Sequence, residues 1–93
     1  MTTAPAKNLQ RILVVDDEPS ISELISTSLR FVGFDVRTAA NGAQALSMAE
    51  EFKPHAMVLD VMLPDLDGFE VCKMIRNEGV DTGVLFLTAK DGM

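Results

Sequence analysis

Cysteine is nearly absent from this 93-residue chain, basic residues are outnumbered by acids, and no apolar stretch is long. Each shortage removes a class of function. The one cysteine, Cys72, excludes an intramolecular disulfide and fits a reducing compartment. No apolar run reaches the roughly 18–20 residues of a membrane span. The first ten residues are polar and Ala/Thr-rich, without the apolar centre of a signal peptide. They are expected to form a flexible leader, residues 1–10, on a soluble, cytoplasmic protein with no membrane partner. Eight Lys and Arg stand against 14 Asp and Glu, a formal net charge of −6. No basic stripe is available to neutralise nucleic-acid phosphates, so direct nucleic-acid binding by this chain is disfavoured. His55 has no Cys or His partner at ligand spacing, which argues against a zinc site. Neither a G-x-x-x-x-G-K-[ST] loop nor a G-x-G-x-x-G turn occurs, which disfavours nucleoside triphosphate and dinucleotide chemistry.

What remains is enough for one small domain. Apolar residues make up 47% of the chain, which suits a packed core and argues against disorder. Arg11 to Val15 is a short β-branched run and reads as a buried strand, closed by Asp16-Asp17-Glu18. Pro19 suits the first turn of a helix. Ile21, Leu24, Ile25, Leu29 and Val32 follow at helical spacing and are expected to form its apolar face, with Gly33 as a left-handed stop. Phe34 to Ala39 alternates apolar and polar residues, the pattern of a strand exposed on one side or at an edge. Asn41 is a good N-cap for a second helix that carries Leu46, Ala49 and Phe52 inward. Ala56 to Leu59 forms a third strand ending at Asp60. Asp67 caps a third helix with Phe69, Cys72 and Ile75 on one face, closed by Gly79. Val84 to Leu87 is a fourth strand, ending at Thr88-Ala89-Lys90. Met48, Met57, Met62 and Met74 read as packing residues, and Asp65 as a solvated loop acid.

Strands alternating with helices through short connections predict an α/β fold, a doubly wound parallel sheet with helices on both faces. With right-handed crossovers and flavodoxin-like order, strand one lies beside strand three at the topological switch point. Ligands bind outside the carboxyl ends of strands at such a point. The order therefore brings Asp16, Asp17 and Asp60 into one crevice, with Thr88 on the neighbouring strand. Taken singly, these residues have plainer readings: Asp16 and Asp17 as helix-start acids, Asp60 as a turn acid, Thr88 as a strand end. Their convergence at one sheet edge favours chemistry. Three crowded carboxylates raise one another's pKa values, and a hard cation such as Mg²⁺ relieves that repulsion. A carboxylate nucleophile at Asp60 can accept a phosphoryl group, and the Thr88 hydroxyl can hydrogen-bond one of its oxygens. Asp60-Val61-Met62 lacks the second acid that haloacid-dehalogenase-type phosphohydrolases carry two residues after their nucleophile.

Three segments, RILVVDDE at residues 11–18, MVLDVMLPDLDG at 57–68 and LTA at 87–89, resemble the receiver domain of bacterial two-component response regulators. The wording is closest to the OmpR/PhoB type and its actinobacterial PhoP-like members. The resemblance covers residues 11–93 and implies a CheY-like fold and a role in phosphorelay signal transduction. It implies Asp60 as phosphoacceptor and a sensor histidine kinase as the phosphoryl source. Asp17 and Asp60 would hold Mg²⁺ directly, Asp16 would act through water, and the Met62 backbone carbonyl would complete the protein ligands. Thr88 would be the switch hydroxyl, with room left for it by Ala89. Pro64 and Gly68 match the family's loop, while Met62 and Lys90 fall where variation tunes dephosphorylation. Receivers continue into a fourth helix, a fifth strand carrying a lysine, and a fifth helix, whereas this chain stops at Met93. The expectation is thus a receiver incomplete after about four strands and three helices, cut from a DNA-binding output domain.

That incompleteness predicts an apolar fourth-strand edge, and with it either self-association through that edge or marginal stability. Two other functions stay open. A Mg²⁺-dependent phosphohydrolase would turn over an aspartyl phosphate, and a folding fragment would have no activity of its own.

Overall fold

The computed structural model describes residues 9–87. The elements run β1 (Arg11–Val15), α1 (Pro19–Phe31), β2 (Asp35–Ala39), α2 (Gly42–Phe52), β3 (Ala56–Asp60), α3 (Gly68–Asn77) and β4 (Gly83–Leu87). All four strands pair in parallel in the order β2-β1-β3-β4. The order reverses direction after β1, so the switch point lies between β1 and β3 as expected. Nearly all of the expected leader, and Thr88, Ala89 and Lys90, lie outside the described residues. Among the described residues, no helix is long and apolar enough to cross a membrane.

The pleat sends alternate strand residues to two unlike layers. Leu13, Val15, Ala39, Met57 and Leu59 face α2 and α3 and meet Ala45, Ala49, Phe52, Val71 and Ile75 in the larger core. Ile12, Val14 and Val36 face the other way, where α1 supplies Ile25 and Leu29. The α1 layer is thin over β3 and β4: Val58 is only half-buried, and Leu85 is 64% exposed.

The expected helix signals are realised. Asn41 and Asp67 cap α2 and α3 by accepting from Gln44 N at 2.8 Å and Glu70 N at 2.9 Å. Gly33 and Gly79 take positive φ, 109° and 82°, directly after the helices they close.

The inward faces of α1 and α3 are less well foreseen. Ile21, Leu24 and Val32 are exposed, and the buried residue of α1 is Ser26. The face in contact is centred on Ile25 and Leu29 and turned toward Ser26, since a single helix laid on a sheet needs only one narrow stripe. On α3 the sealed positions are Gly68, Val71 and Ile75. Phe69 lies on the rim and stacks on Phe86 of β4 with ring centroids 4.7 Å apart. Among the methionines, Met57 is core, while Met62 and Met74 are exposed rather than packed. Cys72 is half-buried against the larger core, as expected for a packing cysteine.

Candidate metal centre

Strand register sets the geometry of the acidic crevice. Val15 pairs with Leu59 in the β1–β3 ladder, so the next residues, Asp16 just past β1 and Asp60 at the end of β3, lie side by side. Asp16 also stays tied to the other neighbour through Asp16 N–H donating to Ala39 O at 3.1 Å. Asp17 follows at the mouth. Each of Asp16, Asp17 and Asp60 can offer a carboxylate oxygen, and these oxygens lie within 4.8 Å of one another.

Both strand-end aspartates use the same local device. Asp16 Oδ1 accepts from Glu18 N at 2.9 Å, and Asp60 Oδ1 accepts from Met62 N at 3.1 Å. These are Asx-type turns, in which a short carboxylate captures the amide two residues on and bends the chain away from the strand. One oxygen of each acid is thereby fixed by its own loop. Asp16 is 5% exposed. Burial, the largest influence, pushes its carboxyl above the usual value of 3.8 despite the Glu18 amide, which acts in the opposite sense. Repulsion from Asp60, Asp17 and Glu18 adds to the rise.

Two further contacts press the β3–α3 loop onto the site. Gly68 N–H donates to Val61 O at 2.7 Å, and Met62 bridges to Asp67. A Cβ on Gly68 would lie 2.5 Å from Asp60 O and 3.0 Å from Val61 Cα. Only a glycine permits this approach of α3 to the end of β3. Asp16 and Asp17, but not Asp60, line an adjoining cavity of about 230 Å³ with Ser22, Thr38, Ala40 and Gln44.

The donor set suits a hard divalent cation. All three groups are carboxylates, and Mg²⁺ prefers oxygen at about 2.1 Å with waters retained in its shell. An octahedron of that radius spaces its ligand oxygens by about 3–4 Å, and the three carboxylate oxygens fall within 4.8 Å of one another, so small side-chain adjustments suffice to meet it. The raised carboxyl of Asp16 is the electrostatic mark of a site that gains from a nearby positive charge.

Thr88 lies outside the described residues, although Leu87, which precedes it, is the ladder partner of Asp60. Met62 brings its backbone to the crevice through the bond to Asp60 while its side chain points to solvent. Asp65 is exposed, as expected of a loop acid, but its carboxylate is engaged by backbone amides. Its Oδ1 accepts from Gly42 N at 2.7 Å and Leu66 N at 2.8 Å, and its Oδ2 accepts from Ala43 N at 3.0 Å. Those bonds hold its carboxyl below the usual range, Gly42 contributing most. The nearest sequence signal was the D-x-D-G rhythm of residues 65–68, which marks a turn without naming a partner 23 residues upstream.

Comparison with known proteins agrees with this geometry. The response regulator receiver domain model matches residues 12–93. The chain is 54% identical over 82 residues to the alkaline phosphatase synthesis transcriptional regulatory protein PhoP of Bacillus subtilis, covering 88% of this chain and 34% of that protein. It is 48% identical over 83 residues to response regulator MprA of Mycobacterium avium, covering 89% and 36%. The chain thus spans about a third of the length of these curated relatives. Among solved structures, chemotaxis protein CheY4 of Vibrio cholerae superposes with a TM-score of 0.84 at 34% identity, over 90% of this chain and 72% of that one. Response regulator TrrA of Thermotoga maritima, in complex with Mg²⁺ and BeF, gives a TM-score of 0.82 at 38% identity, over 89% and 72%.

Proposed function

Because this chain belongs to the response regulator receiver domain family, we propose that residues 11–93 form a phosphoryl-accepting signalling module with Asp60 as acceptor. The observation that carries the reading is the convergence of Asp16, Asp17 and Asp60 at the carboxyl ends of β1 and β3. Asp17 and Asp60 would hold Mg²⁺ directly, Asp16 through water, and the Met62 carbonyl would add the third direct protein oxygen. Charge neutralisation on the phosphoryl oxygens is what Mg²⁺ supplies when bound.

The chain's own residues do the rest. Met62 N–H fixes Asp60 Oδ1, which orients the carboxylate so that its other oxygen faces an incoming phosphorus. That oxygen forms the new P–O bond while the P–N bond of a phosphohistidine donor breaks, and the electron pair returns to the imidazole. A sensor histidine kinase is the donor protein. Thr88 then reaches a phosphoryl oxygen through its hydroxyl, and the resulting change is passed to a DNA-binding output domain in the cytoplasm. In the 93-residue chain, the exposed Leu85 and the unpaired outer side of β4 among the described residues support self-association through that edge.

The test is incubation with a small phosphodonor and Mg²⁺, followed by intact mass and hydroxylamine treatment. A stoichiometric, hydroxylamine-labile acyl phosphate is expected, and Asp60→Asn should abolish it. Repeated turnover of a phosphate ester without a stable adduct would instead identify a phosphohydrolase and overturn the reading.

A further inference from the structure

Helix α2 has its N-terminal amides satisfied by two different parts of the chain. A helix leaves its first amides without intrahelical acceptors. Here Gln44 N donates to Asn41 Oδ1, the local cap, at 2.8 Å. Gly42 N and Ala43 N, the first two, donate instead to the two oxygens of Asp65 in the β3–α3 loop, at 2.7 and 3.0 Å. Asp65 Oδ1 also takes Leu66 N of its own loop at 2.8 Å. One carboxylate therefore joins the start of α2 to the loop that carries Met62.

Packing makes the same junction independently. Gly42 is buried, and a Cβ on it would stand 2.8 Å from Leu66 Cδ1, 2.9 Å from Leu66 Cβ and 3.1 Å from Asp65 Oδ1. The loop thus rests on the helix end at a distance that glycine alone allows. The other side of the loop is held by Gly68 against Asp60 O, and its start by Met62 N–H on Asp60 Oδ1. Between these two fixed points, Asp65 supplies the hydrogen bonds from residues 63–67 to α2, beside Leu63 and Leu66, which pack against the larger core.

We propose that Asp65 is a positioning residue for the acidic centre: by binding the α2 amides it fixes the loop whose Met62 backbone faces the metal and phosphoryl site. This rests on the reading of that centre as a Mg²⁺ site. The lowered carboxyl of Asp65 fits the role, since the ionised form is the one that accepts all three amides.

The test compares Asp65→Ala, Asp65→Asn and Asn41→Ala in the full chain. Both positions cap the same helix, but only Asp65 touches the loop. Mg²⁺ dissociation constants are read by titration calorimetry and melting temperatures are taken without metal. Asp65→Ala should weaken Mg²⁺ binding roughly tenfold, the scale at which partners of metal ligands act. Asp65→Asn, which keeps one acceptor oxygen, should fall between it and wild type. Asn41→Ala should lower the melting temperature but leave the dissociation constant within about twofold of wild type. Equal weakening in the Asp65 and Asn41 variants, or none in either, would reduce Asp65 to a helix cap and overturn the proposal. Failure of the unaltered chain to bind Mg²⁺ would overturn the reading of the centre instead.

Discussion

Gly68 lies so close to Asp60 that the missing Cβ would come within 2.5 Å of the Asp60 carbonyl oxygen. The contact is with backbone, which cannot swing aside as a side-chain tip can. Gly68→Ala should therefore push α3 away from β3 and cost about 1–3 kcal/mol in a urea melt, the usual scale of overpacking. Mg²⁺ affinity should fall with it, because Asp60 sits at the displaced end. A Gly68→Ala chain with unchanged stability would show that the approach of α3 is not fixed.

The acidic centre should set the pH dependence of the metal-free chain above the ordinary carboxylate value. Asp16 binds its proton more tightly folded than unfolded, since burial raises its folded pKa above 3.8. Between those two values the folded state holds more protons, so stability falls as pH rises through the window. Asp16→Asn should flatten that decline and make the metal-free chain more stable at neutral pH, while weakening Mg²⁺ binding. Melting temperatures taken across pH with a chelator present check both signs.

Asp65 should act on the opposite side of the same reference value. Its carboxyl is depressed by the amides of Gly42, Ala43 and Leu66. Its contribution is complete above the unfolded value of 3.8 and is lost as pH falls through the lower folded value. Asp65→Asn should therefore remove part of the acid-side slope and leave the slope above it intact. A variant with an unaltered acid limb would contradict the bonding seen at the start of α2.

At the far end of the sheet, His55 Nδ1 accepts from Arg11 N at 2.9 Å while His55 N donates to Arg11 O at 2.8 Å. The ring takes the place of a ladder acceptor. His55→Ala should cost about 0.5–1 kcal/mol, the net worth of one partly solvated hydrogen bond. His55→Asn puts an acceptor oxygen at the same depth and should recover most of it. Denaturant midpoints for the pair decide the matter, and equal loss in both variants would sink the assignment.

Much of the architecture was legible because each element carries its own signal. Asn41, Asp67, Gly33 and Gly79 bound their helices by local chemistry, and short apolar runs ending in acids set β1 and β3. The acidic triad followed from strand order alone, since parallel register carries Asp16 to the side of Asp60. Other features were hidden. The rotation of α1 depends on where the sheet surface lies, so Ser26 is sealed while Leu24 is left in solvent. Val71 went unnoticed beside Phe69 because α3 faces a core on one side and only the rim of β4 on another. The partners of Asp65 stayed hidden because they are amides, which every residue but proline presents, and no side-chain pattern singles out the pair that will lie opposite.

Helix α2 is fastened at its other end too. Arg11 Nε donates to Phe52 O at 2.9 Å, and its Nη2 donates to Lys53 O at 2.9 Å, which meets the last carbonyls of the helix. A carboxylate from the acidic end of the sheet and a guanidinium from the opposite end thus grip one rod of 11 residues, about 16 Å long. A displacement of the 61–67 loop has only two outcomes at this rod. Either a hydrogen bond at Asp65 gives way, or the whole rod slides and the movement arrives at Arg11, at the opposite end of the sheet from Asp60.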